Sequence, residues 1–523
     1  TLTTQGWIKR ANRMCELLLR DAEILASFAA FAEAEPVKTD RLADAWRNLC
    51  LHQFHDILPG SSIPQVYEDA KPEYDSIRQT AQSVIDQAIA KLANTGDAQP
   101  NGVTVFNTLG WTRNDAFIIP QPEQTVRSVI DANGTAHPIQ PIQQPNGSKA
   151  LLVDGIPLPS MGGAGLQFSD QPVETESCIK VTTSRIDTPY YRIRINKHGA
   201  ITSLFDKVNQ RNVLERGQLG NDLQLFQDGP ETEDAWNVHE TLDKRRYPFT
   251  GPTKIEAIEQ GPLRGVLRIH RTHDKSQIVQ DMTVYAHTPR IDFVTRAEWH
   301  QRQTLLKAAF PVAVRSLNAT YEIQFGAIQR PTHTNTSWER QKFEVAAHRW
   351  SDLSEPGYGV SLLNDCKYGH DTRENVLRIT LLRGTTSPDP QADKGHHEFT
   401  YSLLPHKGNW TEAGVVQRAA EMNIPPQTTA GCLETPNAVS FVEVGGPAVL
   451  ETIKPAEDGR GHIVRMYEPY GSRGPVSLRI CGLAEAIETD LVETDETPLP
   501  VKNETVSFHI KPFEIRTIRV MCE

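Results

Sequence analysis

From its first residues the chain sets Trp7, Ala11, Met14, Leu18, Ala22, Leu25 and Phe28 three or four positions apart. That spacing lines up one face of a helix. A second run begins after Pro36, with Leu42, Trp46, Leu49, Gln53 and Ile57 on one stripe, and Pro59-Gly60 is predicted to stop it. A third run follows Ser61-Ser62, which read as N-caps, and carries Val66, Ala70, Tyr74, Ile77, Ala81, Val84, Ala88 and Leu92. Pro72 is predicted to kink or split it. Three helices with short connections make an antiparallel bundle over residues 1–94.

Beyond the polar stretch 94–102 the period changes from helical to two. "YYRIRIN" alternates Tyr191, Ile193 and Ile195 with Arg192 and Arg194, the pattern of a strand with one wet face, and "NKHG" supplies a turn. Short strands punctuated by Gly, Pro and Asn continue to the end of the chain. The predicted fold class is therefore α+β multidomain: the three-helix bundle, then mostly antiparallel β-sandwich domains. Residues 102–170 are read as a small β domain, 171–425 as a large β-sandwich and 426–523 as a C-terminal β domain. Two long polar and aromatic loops, 227–240 and 383–399, interrupt the β region, and loops of that length often carry function.

The 523 residues have room for about three domains. Their formal net charge is -11, with Lys and Arg scattered, so nothing attracts a nucleic-acid backbone. No apolar run approaches the length of a membrane span. Seven widely spread cysteines without a Cys-x-x-Cys pair favour a reduced, cytoplasmic setting. The chain opens on "TLTTQGWIKR", without an initiator Met, and reads like a piece that starts partway through something.

Chemistry concentrates first in "LHQFHDILPGSS", Leu51 to Ser62. His52, His55 and Asp56 lie three and four positions apart, so at a helix end they are predicted to share a face. Imidazole and carboxylate are zinc ligands, and a catalytic zinc site keeps one position open. The plainer alternative is a histidine that meets the last helical carbonyls and the helix dipole. In the first long loop, Asp228, Glu231, Glu233, Asp234 and Trp236 would suit a sugar, whose hydroxyls donate to carboxylates and whose apolar face packs on indole. The alternative there is a solvated acidic loop with one anchoring Trp. "NDCKYGHD" (Asn364 to Asp371) and "KGHHEF" (Lys394 to Phe399) are read mainly as turns. There is no Walker loop, dinucleotide fingerprint, His-Glu-x-x-His or Gly-x-Ser-x-Gly.

"QFHDILPGSSI" resembles the signature of glycoside hydrolase family 38, the zinc-dependent retaining α-mannosidases. "TLTTQGWIKRANRMCELLLRDAE", "VFNTLGWTR", "NDLQLFQDGPETEDAW", "RIDFVTRAEWHQRQTLLKAAFPV", "LNDCKYGHD", "HEFTYSLLPHKGNW" and "ETIKPAEDGRGHIVRMYEPYG" agree in the same order, and the resemblance covers essentially the whole chain. It implies an N-terminal α/β barrel, a three-helix bundle and β-sandwiches, of which the barrel is missing here. It also implies zinc held by a His-x-Asp pair and the nucleophilic Asp of the barrel, plus one bundle histidine that matches His55. Asp56 matches the acid that contacts hydroxyls of the bound mannose, and Trp236 and Tyr368 are weaker substrate-binding candidates. None of the 17 histidines is followed by Asp two positions later, so the His-x-Asp half of the metal site is absent, and neither the catalytic nucleophile nor the acid/base carboxylate is assigned in this chain. The expectation is the C-terminal portion of an α-mannosidase acting on mannose-containing oligosaccharides, inactive by itself, with a homo-oligomer left open. A non-catalytic carbohydrate-binding or scaffold protein is the alternative. An unrelated zinc hydrolase would need further ligands within the chain.

Overall fold

Helical periodicity is realised as α1 (Gly6–Phe31), α2 (Asp40–His52) and α3 (Pro64–Ala93). The computed structural model describes residues 2–34, 36–93, 99–144, 147–230, 232–239, 241–432, 438–494 and 496–522. Leu19, Leu25, Leu49, Ile77, Ala81 and Ile85 fill the space between the helices. Contrary to the expected kink, α3 runs through Pro72 unbroken. Pro72 and Glu68, the residue whose carbonyl loses its helical partner, are both exposed, so water can satisfy the freed group.

Apolar spacing does not describe α1 fully, because this helix is the joint between the bundle and the β units. Only the later part of its predicted stripe, Ala22, Leu25 and Phe28, is buried. Trp7, Ala11, Met14 and Leu18 instead line a cleft of about 480 Å³, shared with Tyr74 and Arg78 of α3 and with His396 and His397. Three arginines between and beyond them are each answered by another unit. Arg10 pairs with Asp365 at 2.9 Å, and the Arg13 Nε donates to the Tyr368 hydroxyl at 3.2 Å. Arg20 donates to the carbonyls of Glu451 and Thr108, both at 2.8 Å.

The β strands pair antiparallel. Residues 99–169 supply most of an eight-stranded sheet, completed by Gln427–Cys432 against Gln99–Asn107 and by Ala438–Ser440 against Gly162–Ser169. These two strands, grouped by sequence with the C-terminal unit, thus extend the first sheet. Six- and nine-stranded sheets face each other across Leu225, Phe293, Phe310, Leu362 and Tyr401. "YYRIRIN" forms the strand Tyr191–Ile195, buried at Tyr191, Ile193 and Ile195 and exposed at the two arginines, as its alternation requires. Smaller four- and five-stranded sheets close the chain and share their core with α1. "KGHHEF" is not a turn: Gly395–Lys407 is a strand inside the nine-stranded sheet, paired with Ile291–Trp299 and Tyr358–Asn364. The sheet's ladder overrides the turn preference of its Gly and Asp neighbours.

Candidate functional site

The sequence pattern carries α2 to Ile57, but the helix stops at His52. Gln53 leaves the helical register, and its side-chain amide donates to Asn12 at 3.1 Å and Glu16 at 2.9 Å on α1. Tight turns follow, closed by Ile57 N to Phe54 O at 3.0 Å, Gly60 N to Ile57 O at 3.1 Å and Ser61 N to Asp56 O at 3.0 Å. The expected common face of His52, His55 and Asp56 is therefore lost, since the turn rotates the later two away from the helical direction. The His52 side chain is 5 % exposed, stacks on Tyr74 at 4.7 Å and lies 2.8 Å from Glu73. It belongs to the bundle interior.

His55 and Asp56 point outward, their side chains 75 % and 41 % exposed, with Nε2 and Oδ2 3.4 Å apart. Asp56 is not loose. Its Oδ1 accepts the Ser61 hydroxyl at 2.8 Å, and its carbonyl accepts the Tyr67 hydroxyl at 3.3 Å. One carboxylate oxygen thus anchors the side chain while the other is presented beside the imidazole. In the same stretch Leu51, Phe54 and Ile63 are each more than half exposed, and the Phe54 ring lies 4.5 Å from the His55 ring.

The other flagged segments join into one chain of contacts. Arg383 donates to Asp228 and to the Asn237 carbonyl, which closes the 227–240 loop against the start of the 383–399 loop. Asp234 accepts Thr386 N at 2.6 Å and Ser387 N at 3.0 Å. Further along, Asp389 accepts the Gln5 side chain at 2.6 Å, and Asp393 accepts Gln5 N at 2.9 Å and Gly6 N at 2.6 Å. Both loops therefore lead to the first turn of α1. Asp228 and Asp234 are buried and serve this scaffold, whereas Glu233 and Trp236 are exposed. Glu231 lies outside the described residues. Tyr368 is half-buried; its hydroxyl accepts from Arg13, whose guanidinium also lies 4.8 Å from the ring centroid, and His348 packs on it edge-on. Asp389 and Asp393 are additions that sequence reading did not single out, because their role depends on a helix start distant in the chain.

Among the described residues no group of three or more His, Cys, Asp or Glu side chains is disposed to hold a metal. The exposed His55 imidazole, with the Asp56 carboxylate beside it, fits one edge of a zinc coordination shell, which ordinarily needs four donors. Among the described residues no helix is long and apolar enough to cross a membrane.

Residues 1–92 match the alpha mannosidase middle domain, residues 186–391 the glycosyl hydrolases family 38 C-terminal domain, and residues 447–518 the C-terminal beta sandwich domain of the same family. The chain belongs to glycoside hydrolase family 38. It is 36% identical over 538 residues to "Alpha-mannosidase 2C1" of Homo sapiens, spanning 100% of this chain and 50% of that protein. It is 32% identical to "Alpha-mannosidase G" of Dictyostelium discoideum, over 99% of this chain and 51% of that one. The chain thus spans about half the length of these curated family 38 relatives. A crystal structure of an alpha-mannosidase from Enterococcus faecalis V583 shares the fold, with a TM-score of 0.81 at 16% identity, over 99% of this chain and 68% of that one.

Proposed function

We propose that this family 38 chain supplies the bundle side of the active site of a zinc-dependent retaining α-mannosidase, which removes terminal α-mannosyl residues from oligosaccharides. The observation that carries the reading is the outward His55–Asp56 pair, anchored by Ser61 and flanked by the exposed Phe54 ring, within the stretch that matches the mannosidase middle domain. Apolar residues around a polar pair suit a wall completed by another domain. In this proposal His55 is one metal ligand, and the free Asp56 oxygen accepts a mannose hydroxyl. Trp236, at the outer end of the linked loops, offers an indole face to a more distant sugar. Tyr368 holds Arg13 and, through it, the surface on which substrate rests. Zinc, when bound, would grip sugar hydroxyls and orient the ring.

A retaining glycosidase needs two carboxyl groups about 5 to 5.5 Å apart, a nucleophile and an acid/base. Both are assigned to the half of the relatives that this chain does not match, so the chain alone is inactive. A cytoplasmic setting is part of the same proposal, supported by the absence of a disulfide among the described cysteines. Purified chain mixed with an aryl α-mannoside and zinc is expected to give no turnover, and zinc-dependent turnover would overturn the assignment. Joined to an upstream half carrying His-x-Asp, the same chain is expected to hydrolyse the mannoside and to lose that activity on His55→Ala. Undiminished activity in that variant would remove His55 from the site.

A further inference from the structure

We infer that Lys9 is the positioning residue of the His55–Asp56 turn, and that Asp393 of the large β-sandwich fixes where Lys9 stands. The functional meaning of this rests on the reading above, but the geometry is independent of it. Lys9 lies in the first turn of α1, is buried, and its ammonium has three protons to donate. All three meet main-chain carbonyls: Thr4 at 2.5 Å, Leu58 at 3.0 Å and Pro59 at 3.1 Å. Two of these acceptors belong to the turn and the third to the segment just before α1, so one side chain ties the two together.

The backbones also touch directly. Gly60 has φ +85°, and a Cβ added there would lie 2.2 Å from the Thr4 carbonyl oxygen. The turn can rest on Thr4 only because this residue has no side chain. In turn, the start of α1 is fixed from the β-sandwich. Its N-cap residue, Gln5, makes no side-chain cap, and the first two amides are taken by the two oxygens of Asp393. A carboxylate at a helix N-terminus satisfies orphan donors and the helix dipole together. The connection therefore runs from Asp393 to the first amides of α1, from there to Thr4 and Lys9, and on to Leu58, Pro59 and Gly60. The proposed metal-binding and sugar-binding side chains sit at its end. Nothing in the 52–62 stretch itself reveals that its conformation is held by a β loop more than three hundred residues away.

Amide hydrogen exchange on the intact chain tests the inference. In Lys9→Met, the amides of Gly60 and Ser61 are expected to lose protection at least about tenfold, while those in the middle of α3 and in the Tyr191–Ile195 strand keep theirs. Lys9→Arg, which retains a cation with several donors, restores part of that protection. Asp393→Asn loosens the same amides by a smaller factor. Wild-type exchange at Gly60 and Ser61 in Lys9→Met, or a uniform loss over the whole chain, overturns the inference. If Lys9→Met does not fold, Asp393→Asn decides the question, since unchanged exchange at Gly60 and Ser61 there also overturns it. Zinc content of a protein carrying both halves, compared between wild type and His55→Ala, separates the two claims. A turn that loosens in Lys9→Met, while His55→Ala leaves the zinc content of the two-half protein unchanged, upholds the positioning role and refutes the metal-binding reading.

Discussion

Two of the chain's His-Asp dipeptides meet opposite fates. At 55–56 the pair lies in a turn, the side chains converge to 3.4 Å, and both look outward. At 370–371 the pair lies in the strand Gly369–Arg373, where successive residues point to opposite faces and cannot converge on one ligand. Both faces are covered by neighbouring structure. His370 is completely buried and meets the Ser351 hydroxyl at 3.2 Å, while Asp371 pairs with Lys307 and Arg378, each at 2.6 Å. The same two letters thus make an open, outward-facing pair in one place and part of a sandwich interior in the other. Backbone conformation decides whether adjacent groups can cooperate, and packing decides whether anything can reach them.

The most drastic way to break the contrast is Asp371→Ala. It removes the nearer partner of the buried Lys307 ammonium, leaving Glu344 at 4.0 Å, and is expected to cost about 3–5 kcal/mol in chemical denaturation. A loss below about 1 kcal/mol would mean that Asp371 is no more structural than Asp56. Next comes acid. Burial pushes His370 down to about 3 and His348 down to about 4, so both stay neutral in the folded chain at mildly acidic pH. The unfolded chain takes up those protons near pH 6.5, and stability is therefore lost as pH falls from about 6.5 toward 3. His370→Gln removes one such site, and its stability deficit against wild type is expected to narrow by up to about 3 kcal/mol between pH 7 and 4. A constant deficit in denaturation curves across that range would contradict the assignment.

Asp56→Asn should behave in the opposite way to Asp371→Ala. Stability is expected to change by less than about 0.5 kcal/mol, while turnover of an aryl α-mannoside by a protein carrying both halves falls about tenfold to a hundredfold. Normal kinetics would leave Asp56 as a turn anchor through its bond to Ser61. The smallest effect is expected for Trp236→Ala, an exposed residue. Longer mannosides should bind more weakly, by about tenfold or less, with stability altered by under about 1 kcal/mol. Equal loss for a simple aryl mannoside and a longer oligosaccharide would place Trp236 beside the first sugar instead.

Much of this was legible in the residues themselves. The helices, the strand Tyr191–Ile195 and the prominence of the His55 stretch follow from apolar spacing and side-chain chemistry, which are local properties. Boundaries were less so. Gln53 fits the helical stripe in sequence but is drawn to Asn12 and Glu16 on another helix, and that contact accompanies the end of α2. Pro72 reads as a breaker, yet its solvent-facing position lets the helix continue.

The order of residues alone determined the kinds of element and which short stretches carried unusual chemistry. It could not determine that Lys9, off the apolar stripe of α1, reaches across to Leu58 and Pro59, or that Asp393 caps α1. Those bonds join positions far apart along the chain. Only packing brings such groups within hydrogen-bonding distance, and the strength of a buried polar contact depends on that proximity and on the exclusion of water rather than on any local pattern.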